Sequence, residues 1–184
     1  MLKLPKLYLI TPEPTDTDVF LTQLQRCLQQ GIKLVQLRAK SVSYLYYSML
    51  ATKVMKLCEQ YQALLILNGE VITLPLAGLH FSSAQLWVTE AVTTKKRLLS
   101  ASCHNAEELL HAEKIGVDFV TLSPVLSTAT HPDATPLGWE KFTELAQLVD
   151  IPVYALGGVK PANLALAQQC GAWGIAAIRG IWGD

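Results

Sequence analysis

Nothing in this chain is both apolar and long enough to cross a membrane, and the N-terminus lacks the apolar segment of a secretory signal. Charge of one sign is also missing. Fifteen Lys and Arg balance fifteen Asp and Glu, so no global field favours nucleic acid or an anionic membrane surface. The four cysteines, Cys27, Cys58, Cys103 and Cys170, lie far apart with no CxxC or metal-ligand spacing. They read as buried reduced thiols, and the expected setting is the cytoplasm. His104 and His111 carry no mark of a zinc pair, and neither a nucleotide-binding P-loop nor a nucleophile–base triad is legible. Low charge, 16% of residues, with 51% hydrophobic residues excludes a disordered chain. No composition break or linker divides residues 1–184, which predicts a single domain.

What is present is an alternation of short apolar runs with helical stretches. Lys6–Thr11, Lys33–Arg38, Ala63–Leu67, Gly78–Phe81, Leu98–Ser102, Phe119–Leu122, Pro152–Leu156 and Gly174–Ile178 read as strands. They are near-continuously apolar, as expected of parallel strands covered by helices. Helices are predicted from Asp16 or Thr17 to Gly31, Ser43 to Tyr61, Asn105 to Lys114, Trp139 to Val149 and Pro161 to Cys170. In the first, Val19, Phe20, Leu24 and Leu28 follow helical spacing. Eight such strands predict an α/β fold, a (β/α)8 barrel trimmed well below the usual length of about 250 residues.

Two places are reduced. Only Val71 to Ala77, with Pro75 inside, separates the third and fourth strands, too little for a full third helix. After the eighth strand six residues remain, so a full last helix is not expected. The wall between strands eight and one, including Trp182, would then expose apolar surface, to be covered by a second copy in a homodimer or by another piece of chain.

The most informative stretch is Pro152-Val-Tyr-Ala-Leu-Gly-Gly-Val-Lys-Pro161, whose pattern returns in Gly174-Ile-Ala-Ala-Ile-Arg-Gly180. Backbone amides at turns after the last two barrel strands form a ready phosphate site. Gly157-Gly158 otherwise reads as a plain strand-ending turn. The remaining polar residues at strand C-termini would face the same bowl: Gln36, Arg38, Lys40, Asn68, His80, Ser102, His104, Ser123, Thr128, Thr130, His131 and Arg179. Arg38 and Lys40 leave a buried strand and need an anion, either a ligand or a carboxylate elsewhere in the bowl. His104 reads as an acid or as a bond to the helix that follows. Thr128 and Thr130 suit a phosphate or the ordering of their own loop.

These segments resemble a known family. Leu7-Tyr-Leu-Ile-Thr11, Leu34-Val-Gln-Leu-Arg-Ala-Lys40, Gly78-Leu-His80, Ser102-Cys-His104, Ser123 to Pro132, Pro136-Leu-Gly138 and Ala155 to Val159 are similar to thiamine-phosphate synthase and thiazole tautomerase. Cys103-His104, His131-Pro132, Leu137-Gly-Trp139 and Ile178 to Trp182 resemble most closely the barrel domain fused behind a Nudix hydrolase in some bacterial proteins. The resemblance implies a barrel that binds thiazole phosphate or thiamine phosphate. It implies Gln36, Arg38, Lys40, Asn68 and Ser102 around a pyrimidine and pyrophosphate; His80 and Ser102, by their own place at strand ends, suit contacts to a ring. Thr128, Thr130, Gly157, Gly158, Ile178 and Arg179 would hold the thiazole phosphate.

The family's cofactor is magnesium, but both of its aspartates are replaced, by Gly69 and Gln85. Glu70 could stand in for the first only if its loop shifted by one residue. His131 stands where the family has a lysine, Ala39 where it has an acidic residue, and Pro124 at the tautomerase's catalytic histidine. Three readings are therefore open. One is a synthase-like transferase using Arg38, Lys40 and Arg179 with His104 or His131 as acid. Another is a non-catalytic binding module working with a separate Nudix hydrolase. The third is a structural barrel that retains only its phosphate turns.

Overall fold

The computed structural model describes residues 4–68, 74, 76–89, 97–128 and 133–183. Its strands are β1 (Leu7–Ile10), β2 (Leu34–Leu37), β3 (Leu64–Asn68), β4 (Gly78–Phe81), β5 (Leu99–Cys103), β6 (Phe119–Leu122), β7 (Val153–Ala155) and β8 (Gly174–Ala177). They pair in chain order, all parallel, and β8 closes onto β1 through Leu7–Ile175, Tyr8–Ala176 and Leu9–Ala177. Helices α1 (Thr17–Gln29), α2 (Tyr44–Gln60), α3 (Ser83–Val88), α4 (Ala106–Ile115), α5 (Gly138–Ala146), α6 (Leu164–Gln169) and α7 (Arg179–Trp182) accompany them. The trimmed α/β barrel expected from the sequence is what forms, and no described residue between β3 and β4 is helical.

Local chemistry starts and stops these elements. The Asp16 carboxylate, rather than Thr17, caps α1 by accepting from the N–H groups of Asp18 and Val19 at 2.9 Å. Asn105 caps α4, and Gly116 ends it in the left-handed region at φ 88°. Phe20, Leu24 and Leu28 turn inward as their spacing requires, whereas Val19 is 67% exposed. The segment predicted as one helix from Pro161 begins as a 3-10 turn, Pro161–Asn163, before α6.

Two elements go beyond the sequence reading. Helix α3 is only six residues long with one buried side chain, Leu86, so it shows no apolar period. Its legible signal is a capping box, Ser82 with Gln85 three positions on. At the other end α7 forms a single turn. Trp182 is half-buried there, its ring 4.9 Å from Phe20, and Gln23 Nε2 donates to its carbonyl. The expected exposure of Trp182 is thus corrected by packing on α1.

Apolar side chains occupy three zones. Two lie between the sheet and its helices, and the third fills the barrel interior with Tyr8, Leu34, Ile66, Phe119 and Tyr154. The rings of Tyr8, Phe119 and Tyr154 meet edge to face with centroids 5.4–5.6 Å apart. This aromatic plug closes the barrel from below, so the site must lie above it.

Candidate functional site: a bowl at the strand C-termini

Inward residues alternate along each strand, and one step above the aromatic plug they become polar. Tyr8 Oη donates to Gln36 Oε1 at 3.1 Å. Burial holds the Tyr8 hydroxyl far above its ordinary pKa, so it stays protonated. His80 stands between two serines, Nδ1 2.9 Å from Ser100 Oγ and Nε2 2.8 Å from Ser102 Oγ. Burial, with the nearby Lys40 charge adding to it, pushes the His80 pKa down to about 3, and the ring is neutral at pH 7. Thr121, the ladder partner of Ser102, is fully buried, and its hydroxyl has no hydrogen-bond partner among the described residues. The floor is therefore uncharged and rich in hydrogen-bonding groups, which suits a heterocycle better than a phosphate.

Cations gather above the floor on the β2 side. Thr11 Oγ1 accepts the Arg38 N–H at 3.0 Å and ties the ends of β1 and β2 together. From the loop after β1, Glu13 accepts from the Lys40 N–H at 2.9 Å, the Ser41 hydroxyl at 2.8 Å and the Ser41 N–H at 3.3 Å. Arg38 Nη1 lies 3.4 Å from the same carboxylate. Partial burial pushes the Glu13 pKa up, but these hydrogen bonds and the Arg38 charge outweigh it and leave the group below the ordinary value. Arg38 thus finds a carboxylate partner, one of the two outcomes its position left open. The Tyr47 hydroxyl, reaching up from α2, lies 3.0 Å from both the Leu37 and Asn68 carbonyls and braces the ends of β2 and β3.

On the opposite wall, His104 Nδ1 lies 2.8 Å from the Ser123 carbonyl. A carbonyl only accepts, so the neutral ring carries its proton on Nδ1 and keeps a lone pair on Nε2. The helix that follows engages the His104 main chain, not its ring: the His104 N–H donates to Glu108 Oε2 at 2.6 Å. His111 is occupied elsewhere, bonded to the Leu86 carbonyl and stacked on Trp87.

The turn after β7 needs its glycines twice over. Gly157 and Gly158 have φ of 92° and 69°, and a Cβ on either would run into the loop after β6, meeting Pro124 at 2.8 Å or the Ser127 carbonyl at 2.5 Å. Main-chain bonds seal that packing, Val125 N to Leu156 O at 2.9 Å and Leu126 N to Gly157 O at 3.0 Å. The glycine pair is thus required by the fold itself. What remains for a ligand is the N–H groups of Gly157 and Gly158, which donate to no acceptor among the described residues.

These walls enclose a cavity of about 1350 Å³ at the C-terminal ends of the strands. It brings together Gln36, Arg38, Lys40, Asn68, His80, Ser102, His104, Ser123, Thr128, Gly157, Gly158, Ile178 and Arg179, every expected site residue that is described. Thr130, His131, the departure Gly69 and its possible stand-in Glu70 lie outside the described residues. The sequence reading missed Lys160, just beyond the glycine pair, and Asp133, both of which line the bowl. Lys160 had a legible signal, a cation two residues past a glycine turn. Glu13 and Ser100 had none, because their partners lie 20 to 28 residues away in the chain.

The described donor set does not fit magnesium. Among the described lining residues Asp133 is the sole carboxylate, against Arg38, Lys40, Lys160 and Arg179. Gln85, where the family has an aspartate, spends its amide oxygen on the Ser82 N–H and hydroxyl at 2.8 and 2.9 Å. Magnesium is held by anionic oxygens, and a rim of four cations opposes it.

A closed parallel barrel with a bowl at the C-terminal strand ends places the chain in the (β/α)8 class. Comparison with known proteins narrows this. The family described as thiamine monophosphate synthase matches residues 7–181. The chain is 36% identical over 181 residues to a putative thiamine-phosphate synthase 2 of Aquifex aeolicus, covering 96% of this chain and 97% of that one. It is 30% identical over 182 residues to a thiamine-phosphate synthase of Fusobacterium nucleatum, covering 96% and 88%. A solved thiamine phosphate pyrophosphorylase from Pyrococcus furiosus superposes with a TM-score of 0.79 at 25% identity, over 97% of this chain and 88% of that one. The chain belongs to the thiamine monophosphate synthase family.

Proposed function

We propose that this protein serves thiamine biosynthesis by binding thiazole phosphate or thiamine phosphate in the bowl. The phosphate lies on the turns after β7 and β8, near Arg179 and Lys160, and the pyrimidine of thiamine phosphate lies over Gln36, Asn68, His80 and Ser102. The observation that carries this reading is the division of one cavity into a cationic, amide-lined rim and an uncharged hydrogen-bonding floor. Phosphate is stabilised by the first, and a neutral heterocycle loses least on burial against the second.

In the synthase reaction a pyrimidine pyrophosphate is joined to thiazole phosphate and pyrophosphate leaves. In this bowl the charge of that leaving group falls to Arg38 and Lys40, held in place by Glu13, with His104 at the opposite wall. A proton acid there must be the charged form of His104, since the neutral ring offers only a lone pair from Nε2. The commitment of Gln85 to its helix cap favours a second reading, a binding module without turnover that assists a separate enzyme such as a Nudix hydrolase.

Titration calorimetry and turnover together test the proposal. Thiazole phosphate and thiamine phosphate are expected to bind equally well with magnesium or with EDTA. Thiamine phosphate formation from pyrimidine pyrophosphate and thiazole phosphate should be slow and gain little from magnesium. Rapid magnesium-dependent formation would overturn the altered-site reading. Absence of saturable binding of either ligand at millimolar concentration would overturn the binding site itself.

A further inference from the structure

The pair of serines around His80 has a consequence for which ligand edge the floor accepts. A neutral imidazole has one N–H and one lone pair, so one serine must accept from the ring and the other must donate to it. Ser100 is fully buried, and its hydroxyl has two acceptors, the Leu79 carbonyl at 3.4 Å and the oxygen of Tyr8, whose own proton goes to Gln36. With the Ser100 proton directed to either, Ser100 Oγ receives the Nδ1–H of His80 across 2.9 Å. The lone pair is then on Nε2, and the proton shared across the 2.8 Å contact comes from Ser102.

We infer that Ser100 and His80 are positioning residues that turn the Ser102 proton inward, so that Ser102 meets the bowl as a hydrogen-bond acceptor. A ring presenting an N–H at this point, such as an amino-substituted nitrogen heterocycle, is matched. A ring presenting a second acceptor meets lone pair against lone pair and is rejected, because a site built for a donor penalises a ligand that lacks one. The low pKa of His80 keeps the arrangement intact at pH 7, since a doubly protonated ring would have no lone pair for Ser102. The ligand-selecting half of this inference rests on the reading of the bowl as a heterocycle site.

The two halves have separate tests. In the full chain labelled with 15N-histidine, the His80 signals are identified by their loss in His80→Gln. A pyrrole-type Nδ1 and a pyridine-type Nε2 are expected at neutral pH. A proton on Nε2, or two averaged nitrogens, would overturn the inference without any ligand.

The second test compares two ligands in Ser100→Ala. Without Ser100, the buried Nδ1–H has no acceptor. The ring then carries its proton on Nε2, donates to Ser102, and turns the Ser102 hydroxyl toward the bowl. Thiamine phosphate, which has an aminopyrimidine, should bind roughly tenfold more weakly, and thiazole phosphate, which has no N–H, should bind as before. An equal effect on both ligands, or none on either, would overturn ligand selection. If neither ligand binds the unaltered protein, the proposed function fails and takes ligand selection with it, while the NMR result still decides the proton arrangement.

Discussion

At the residue scale, His80 shows how far a side chain's behaviour depends on neighbours remote in sequence. Its type and its place at a strand end were legible, and they marked it for ring contacts. That it is neutral and held between Ser100 and Ser102 follows from barrel register, which sets His80 beside Ser100 on the next strand. The depressed pKa has a sign that solution measurement can check. The unfolded histidine takes a proton near pH 6.5, whereas the folded one resists until about pH 3. Between these values the unfolded state binds more protons, so stability is fully present above pH 6.5 and is lost as pH falls toward 3. Between pH 7 and pH 5 this one group should remove about 2 kcal/mol, at roughly 1.4 kcal/mol per unit below the unfolded pKa. Urea unfolding at both pH values in the unaltered protein and in His80→Gln isolates it, since the other titrating groups are common to both. Equal pH dependence in the two proteins would mean that His80 ionises freely in the fold.

At the element scale, the sequence made the strands and long helices legible because each carries an apolar period or a capping residue. Helix α3 escaped because a six-residue helix with one buried side chain has no period, although its capping box is visible. The loop after β2 escaped for a different reason. It contains no turn signal of its own and owes its shape to Glu13, a carboxylate on the previous βα loop that gathers the Lys40 and Ser41 main chain and the Arg38 side chain. That loop carries both β2 cations into the bowl, so Glu13 ranks as a structural support for them. Replacing it by Ala should free the Lys40 and Ser41 amides. Loss of charge-assisted hydrogen bonds predicts that these two exchange with deuterium roughly tenfold or more faster, while β2 itself keeps its protection. Unchanged exchange at Lys40 and Ser41 would show that the loop holds its shape without the carboxylate.

At the scale of the whole molecule, the barrel was legible because eight apolar runs separated by helical stretches leave few other ways to bury every strand on both faces. Closure follows from the same count, since an open sheet would leave unpaired edges on β1 and β8. What the sequence could not show is how the seam between them is covered. The expectation there was an exposed wall, and the structure instead seats α7 against α1 through Trp182 on Phe20 and the Gln23 amide on the Trp182 carbonyl. Ile181 and Trp182 also pack against the core beneath α1 and α2, so this single turn joins the last strand to the first layer of helices. A fully buried Trp cut to Ala costs about 3–5 kcal/mol; for a half-buried ring about 2 kcal/mol is expected. Trp182→Ala should therefore lower the urea midpoint accordingly. Because α7 begins at Arg179 on the bowl, the same change should also weaken binding of thiazole phosphate. A stability loss below about 0.5 kcal/mol, the range of an ordinary surface substitution, would mean that α7 lies on the seam without sealing it.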